Sequence, residues 1–264
     1  MKTKNNKPVI GIFGLSSDEG CEFPILDQGE KLLELLEEVE LGHFRLVEEL
    51  PDPKQFDVAL VEGSVLTKDN IAKLKKIRER SKILVALGAC AIIGGIPELK
   101  NYVGKDKAIE KVYKDVQGID NLEVKPLSAY VKVDFAIPGC PVDGGEVLRV
   151  LYELKEGRIP EIPKIPVCHE CQIRETECLL KANEQTGRQA EPCMGPISYA
   201  GCNAPCPAAN YPCDGCRGVL PEADFDSFAK AIDAIGAKER IKNIFERYGN
   251  KDIIEKLTKE KDEN

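Results

Sequence analysis

The sequence lacks any apolar stretch long enough to cross a membrane. Its longest apolar run, Ile83–Ile96, is interrupted by Gly88, Gly94 and Gly95, whereas a transmembrane helix needs roughly 18 consecutive apolar residues. The basic start, Met1–Lys7, precedes only a short apolar run without a small-residue cleavage site, and no twin-arginine signal is present. These absences predict a cytoplasmic protein without a membrane segment.

Basic blocks and nucleotide-binding motifs are also missing. The formal net charge is −8 and the sequence pI is about 5.1, which argues against nucleic acid as the main partner. Neither G-x-G-x-x-G nor G-x-x-x-x-G-K-[ST] occurs, so the chain shows no dinucleotide or phosphate site of its own. At 264 residues, the chain is long enough to bury a sizeable core.

Cysteine, by contrast, is abundant and unevenly distributed. The chain has 11 cysteines, an odd number that excludes complete pairing within one chain. Eight lie in the segment Cys168–Cys216, and the other three, Cys21, Cys90 and Cys140, are widely spaced. Disulfide frameworks usually serve small secreted domains that lack a core. A normal apolar content and no export signal favour metal ligation over disulfides here.

Strand and helix patterns alternate over the first 160 residues. Short apolar runs predict strands, and apolar residues at helical spacing predict helices. The predicted strands are Val9–Leu15, Phe44–Leu50, Val58–Val61, Ile83–Leu87 and Val131–Ile137, and the predicted helices are Leu26–Glu40, Asn70–Arg80 and Glu146–Lys155. This alternation predicts an α/β fold with a flavodoxin-like, doubly wound parallel sheet.

Composition then divides the chain into three predicted domains. Residues 1–160 form the α/β domain. Residues 161–220 are rich in Cys, Pro and Gly and cannot build an apolar core alone, so metal binding is expected to supply folding free energy. Residues 221–264 return to helical patterns (Phe225–Ile235, Arg240–Tyr248 and Ile253–Leu257) and end in a charged tail.

Each of the four clearest strands ends in a segment that contains candidate functional residues. These segments are Asp18–Cys21, Glu62–Ser64, Gly88–Cys90 and Gly139–Cys140, and the carboxyl ends of parallel strands meet at one edge of a sheet. The three cysteines supply one thiolate too few for a four-ligand cluster. Asp18 stands where a C-x-x-C motif would begin, as an oxygen ligand or as a helix N-cap. Glu62 has two interpretations. In one it positions a partner or passes protons; in the other it is a solvent-facing or turn-stabilising glutamate.

The eight late cysteines fall into two quartets by spacing. The quartets are Cys168-x2-Cys171-x6-Cys178-x14-Cys193 and Cys202-x3-Cys206-x6-Cys213-x2-Cys216. Structural zinc and iron–sulfur clusters both use such C-x-x-C spacings. Adjacent quartets crowded by Gly and Pro favour iron–sulfur clusters, because glycines let backbone N–H groups approach cluster sulfurs. Spacing does not assign Cys193 and Cys202 to one quartet, and His169 is an alternative ligand. His43 is expected to be structural.

Several ordered motifs resemble the small, electron-transferring subunit of nickel–iron hydrogenases. They are GIFGLSSDEGCE (residues 11–22), VEGSV (61–65), GAC (88–90), PGCP (138–141), PCMGPISYAGC (192–202) and CDGC (213–216). The resemblance extends from about residue 8 to residue 218. Among the branches of that family, the sequence looks like the cytoplasmic sulfhydrogenase delta type.

The resemblance implies three 4Fe–4S clusters and assigns their ligands. The proximal set is Asp18, Cys21, Cys90 and Cys140; the medial set is Cys202, Cys206, Cys213 and Cys216; the distal set is Cys168, Cys171, Cys178 and Cys193. Many uptake enzymes have histidine at the Cys168 position and a medial 3Fe–4S cluster with three cysteines. This sequence departs from them on both counts, and also at Asp18, where most members have cysteine.

The resemblance also implies the partners. Hydrogen would be turned over on the nickel–iron site of a separate large subunit, with no nickel site, no catalytic residue and no zinc on this chain. Electrons would pass through the clusters to a diaphorase-like subunit that binds flavin and NAD(P), with a further iron–sulfur subunit completing a heterotetramer. In this branch hydrogen, NADP(H) and sometimes polysulfide are the exchanged partners.

Three alternatives accompany this interpretation. The first is a small subunit that feeds a heterodisulfide-reductase or deazaflavin-linked partner. The second is a quinone-oxidoreductase subunit with a single cluster, which the second cysteine-rich region argues against. The third is a zinc-stabilised binding protein without a redox role.

Overall fold

Within residues 7–47 and 53–255, which the computed structural model describes, five strands form one parallel sheet. Their order is β2-β1-β3-β4-β5, so successive strands are added on both sides of β1. This is the predicted doubly wound α/β arrangement. The strands are β1 (Val9–Gly14), β2 (Glu40–Phe44), β3 (Phe56–Glu62), β4 (Ser81–Leu87) and β5 (Phe135–Ile137).

Helices follow the strands and continue through the rest of the chain. Over the first 160 residues they are α1 (Phe23–Leu26), α2 (Glu30–Glu38), α3 (Lys68–Glu79), α4 (Gly88–Ile93), α5 (Leu99–Val103), α6 (Lys105–Val112) and α7 (Gly144–Lys155). Beyond them lie α8 (Val167–Ile173), α9 (Pro205–Ala208), α10 (Phe225–Ala234) and α11 (Lys238–Arg247). None of the helices in the described ranges is both long and apolar enough to span a membrane.

The sheet is buried on both faces, as expected for a parallel sheet covered by helices. Along β3, Val58 and Leu60 face one apolar cluster, which α2 and α7 complete. Ala59 and Val61 face the opposite cluster, which includes Leu74 of α3. Strand residues alternate between faces, so one run of apolar residues supplies both cores.

A separate apolar cluster lies behind the cysteine-rich segment. Phe228 of α10 and Ile241 of α11 pack there against Met194 and Ile197, which are fully buried. The C-terminal helices therefore supply apolar surface that the cysteine-rich segment lacks.

Two predicted strands are placed differently by the structure. The strand predicted over Phe44–Leu50 is wrong: the strand is Glu40–Phe44, residues 45–47 form a turn, and residues 48–52 lie outside the described ranges. The strand predicted over Val131–Ile137 is shortened to Phe135–Ile137, because the Asp134 side chain accepts the Leu84 N–H at 2.9 Å just before it. The predicted charged tail, 259–264, also lies outside the described ranges.

Candidate metal centres

The proximal set comes together at the carboxyl edge of the sheet. Asp18 and Cys21 follow β1, Cys90 lies in α4 directly after β4, and Cys140 follows β5. Together with Glu62, they line one cavity of about 680 Å³. The topology thus gathers residues separated by 50 or more positions, as the strand-end pattern predicts.

Two glycines make room for the sulfur atoms of this set. A Cβ at Gly88 would lie 2.5 Å from the Cys21 Sγ, and one at Gly95 would lie 2.8 Å from the Cys90 Sγ. Both glycines have positive φ, at +82° and +60°, which favours glycine further. The backbone is therefore shaped to let Sγ atoms approach where a side chain would block them.

Burial and mutual charge govern the protonation of these thiols. Burial raises the pKa of Cys21 far above its usual range. For Cys90, burial followed by the charges of Cys140 and Asp18 raises the pKa to about 11. Burial thus favours the neutral form of these thiols, and a bound cation would favour the thiolates.

Asp18 forms a turn at the rim of the cavity. Its Oδ1 accepts the Gly20 N–H at 3.1 Å. The predicted alternative of a helix N-cap is wrong, because α1 begins after Glu22, which occupies the N-cap position. Asp18 is exposed and lines the cavity, so its position fits a ligand.

Glu62 is buried beside the proximal set and is 3 % exposed. Its Oε1 accepts the Cys21 N–H at 3.1 Å, and its Oε2 has no hydrogen-bond partner. Burial raises the pKa of Glu62 to about 6. For the neighbouring Glu22, burial and the charge of Glu62 raise the pKa to about 7. The solvent-facing interpretation of Glu62 is wrong, and the sequence reasoning missed Glu22, whose only signal is its place next to Cys21.

The medial set surrounds a second, smaller cavity of about 260 Å³. All four of its cysteines line this cavity, together with Cys140 of the proximal set. Burial and the charges of Cys202, Cys140 and Cys206 raise the pKa of Cys216 to about 12, against the opposing effect of a backbone hydrogen bond. The four medial thiols thus share the lining of one cavity.

The distal set is held together by α8 and the loop before Gly195. Burial, followed by the charges of Cys193, Cys171 and Cys178, raises the pKa of Cys168 to about 12. A Cβ at Gly195 would lie 3.5 Å from the Sγ atoms of both Cys168 and Cys193. The structure thus groups Cys193 with the distal quartet; that these residues bind a cluster remains a prediction.

The medial set lies next to both other sets. Cys140 of the proximal set lines the same cavity as the four medial cysteines. The Cys213 N–H donates to the Cys193 Sγ at 3.2 Å. In space, therefore, the order is proximal, medial and distal, although the distal cysteines precede the medial ones in sequence.

The donor set fits iron–sulfur clusters in its chemistry. All eleven cysteines are free thiols, so the disulfide alternative is wrong. Across residues 7–47 and 53–255, no three His, Cys, Asp or Glu side chains are close enough to share a single metal ion. The proximal and medial thiols line cavities instead, and the Cys213 N–H is directed at the Cys193 Sγ. His169 is exposed, and His43 stacks on Phe13 with ring centroids 4.3 Å apart.

Comparison with known proteins extends these observations. The sequence profile of the family described as NADH ubiquinone oxidoreductase, 20 Kd subunit, matches residues 19–154, just over half of the chain. The sulfhydrogenase 2 subunit delta of Pyrococcus furiosus is 38% identical over 237 residues, covering 88% of this chain and 95% of that protein. An 88% share necessarily extends beyond residue 154, into the cysteine-rich region.

Two further similarities agree with this one. A subunit of the F420-non-reducing vhu hydrogenase of Methanocaldococcus jannaschii is 34% identical, over 79% of this chain and 81% of that protein. A chain in the crystal structure of an NAD+-reducing [NiFe]-hydrogenase in the H2-reduced state superimposes with a TM-score of 0.54 and 30% identity. That superposition covers 60% of this chain and 96% of the other.

Proposed function

The chain belongs to the hydrogenase small subunits of the NADH ubiquinone oxidoreductase 20 Kd subunit family. From that premise we propose that it relays electrons within a cytoplasmic nickel–iron hydrogenase of the sulfhydrogenase type. Hydrogen turnover would take place on a large subunit. Electrons would pass through this chain to a subunit that binds flavin and NAD(P), with NADP or polysulfide as the final partner.

The proximity of the three thiol sets supports this proposal most directly. The proximal, medial and distal sets would each hold a 4Fe–4S cluster, and such clusters exchange single electrons. Cys140 lines the medial cavity and so brings the first two sets together, and the Cys213 N–H donates to the Cys193 Sγ between the last two. Clusters held by these sets would be neighbours in the order proximal, medial and distal.

The surface around the proximal set suits a large protein partner. Phe23, Ile96 and Leu99 are 54%, 43% and 37% exposed, and Ile96 lines the proximal cavity itself. Obligate interfaces are large and apolar. We therefore place the large subunit on this face, with Glu62 buried behind it as a residue that positions the partner or passes protons. The remaining subunits, flavin-binding and iron–sulfur, would complete a heterotetramer at the distal end.

Metal and sulfide analysis tests the proposal. After anaerobic isolation, three clusters of four irons require about twelve iron atoms and matching sulfide per chain. About two zinc atoms and no sulfide would contradict it and support a zinc-stabilised binding protein instead. Purification of the intact complex should recover a nickel-containing large subunit and a flavin-containing subunit.

A second candidate follows from the similarity to the Methanocaldococcus jannaschii protein, whose name describes part of an F420-non-reducing hydrogenase. In that case the same chain would feed the heterodisulfide-reductase partner of the alternative interpretation; a relative that does not reduce F420, a deazaflavin, gives no support to its deazaflavin-linked form. Co-purification separates the two candidates, because they differ in the subunit that accepts the electrons.

A further inference from the structure

One carboxylate joins the distal set to the medial set. Glu170 lies in α8 between Cys168 and Cys171, and its side chain reaches the loop that carries Cys202. Its Oε1 accepts the Gly201 N–H at 2.7 Å. Its Oε2 accepts the Ala204 N–H at 3.2 Å and lies 3.6 Å from the Cys202 Sγ. The carboxylate therefore contacts the loop on both sides of Cys202.

That loop has a backbone conformation that needs external support. Asn203 and Ala204 have φ of +58° and +44°, a left-handed conformation that is strained for residues with a Cβ. The Arg174 guanidinium, just after α8, donates to the Asn203 carbonyl at 2.7 Å. Glu170 and Arg174 thus hold the strained turn from one helix, and that turn sets the position of Cys202.

The charge of Glu170 also acts on the neighbouring sulfur atom. The Glu170 Oε2 lies 3.6 Å from the Cys202 Sγ, so a negative charge there repels negative charge on a group that Cys202 binds. Addition of an electron to such a group is therefore less favourable.

We propose that Glu170 is a positioning residue that fixes Cys202 against the distal set, and that its charge lowers the reduction potential at the medial set. This inference rests on the proposed function, because it assumes that the medial thiols hold a cluster. It goes beyond that function in assigning a role to a residue that binds no metal.

The test is an EPR-monitored redox titration of the anaerobic complex carrying Glu170→Gln. Glutamine keeps the shape and one accepting oxygen but removes the charge. The medial signal, identified as the one that Cys206→Ser perturbs, should shift to a higher midpoint potential. The distal midpoint should shift less, the proximal midpoint should not move, and iron content should be unchanged. Glu184→Gln, at an exposed glutamate of the same segment, is the matched control and should leave all three midpoints in place.

A second variant separates charge from folding. Glu170→Asp keeps the charge, so its medial midpoint should stay nearer that of the unmodified protein than the midpoint of Glu170→Gln does. Aspartate is one methylene shorter and cannot keep both contacts with the loop, so a partial loss of iron in Glu170→Asp but not in Glu170→Gln would support the positioning role. Unchanged midpoints in Glu170→Gln, or loss of all iron in both variants, would overturn the proposal. Absence of cluster signals in the unmodified complex would instead overturn the proposed function.

Discussion

Breaking the buried ion pair between Arg217 and Glu146 should cost the folded chain several kcal/mol. The side chains are 2% and 5% exposed, and the guanidinium donates to both carboxylate oxygens at 2.8 and 3.0 Å. Arg217 also donates to the carbonyls of Pro138 at 2.7 Å and Ala200 at 2.9 Å. One guanidinium thus ties together the segments that precede Cys140 and Cys202.

The expected cost follows from what each variant leaves behind. Removal of one partner from a buried pair costs about 3–5 kcal/mol, because the other charge stays buried without compensation. Glu146→Leu leaves the Arg217 charge with two carbonyls and no carboxylate. Arg217→Met leaves Glu146 with Arg149, whose guanidinium is 3.9 Å away, so its loss should fall at the lower end. The double variant removes both charges and should lose less than the sum of the single losses.

Thermal unfolding of the anaerobically loaded chain, followed by far-ultraviolet circular dichroism, measures these losses. At roughly 2–4 °C per kcal/mol for a chain of this size, each single variant should lower the midpoint by about 6–20 °C. Lys242→Met removes one partner of the exposed pair with Glu239, whose side chains are 62% and 83% exposed; as the control it should change the midpoint by only a degree or two. Single variants that match the control, or a double variant that loses the full sum, would refute the argument.

Three further predictions test the site and its surroundings. Asp18→Cys should retain the proximal cluster with a shifted midpoint potential, and an Asp18→Ala variant with an unchanged spectrum and potential would reduce this residue to a turn former. Gly88→Ala should lose about four irons per chain, because its Cβ would lie 2.5 Å from the Cys21 Sγ; Gly118→Ala, which also has positive φ but meets nothing within 4 Å, should keep them. Burial, followed by nearby acidic charges, raises the pKa of Glu98 from 4.5 to about 7. Glu98 holds its proton more tightly in the folded chain than in the unfolded chain. The stabilisation that this protonation contributes is fully present below about pH 4.5 and is lost as the pH rises through about 7. Glu98→Gln should therefore unfold at a higher temperature than the unmodified chain near pH 8, and the two curves should meet near pH 4.5; a difference that does not depend on pH would contradict this.

The sequence predicts the proximal edge well because strand ends are local features. Apolar runs such as Ile83–Leu87 end at glycine and cysteine, and parallel pairing brings those ends together without further information. The short edge strand Glu40–Phe44 is harder to predict. It begins with a charged residue and contains Gly42, so it shows too little apolar pattern to stand out.

The residues that join the parts of the molecule could not be predicted in this way. Glu146 and Arg217 are 71 positions apart, and Glu170 contacts Gly201 across 31. A charged residue in a helix is normally solvent-exposed, so the sequence alone gives no reason to bury Glu146 or to direct Glu170 at the loop around Cys202. Their partners become visible only when the fold brings the cysteine-rich segment against the sheet.

The position of the medial set shows why the spatial order of the cysteine sets cannot be read along the chain. The distal cysteines precede the medial ones in sequence, yet Cys140 of the proximal set lines the medial cavity. Arg217, the residue after Cys216, explains this arrangement, because its bonds to Pro138 and Glu146 draw the end of the cysteine-rich segment back onto the sheet. The same buried ion pair that stabilises the fold therefore places the medial set between the other two.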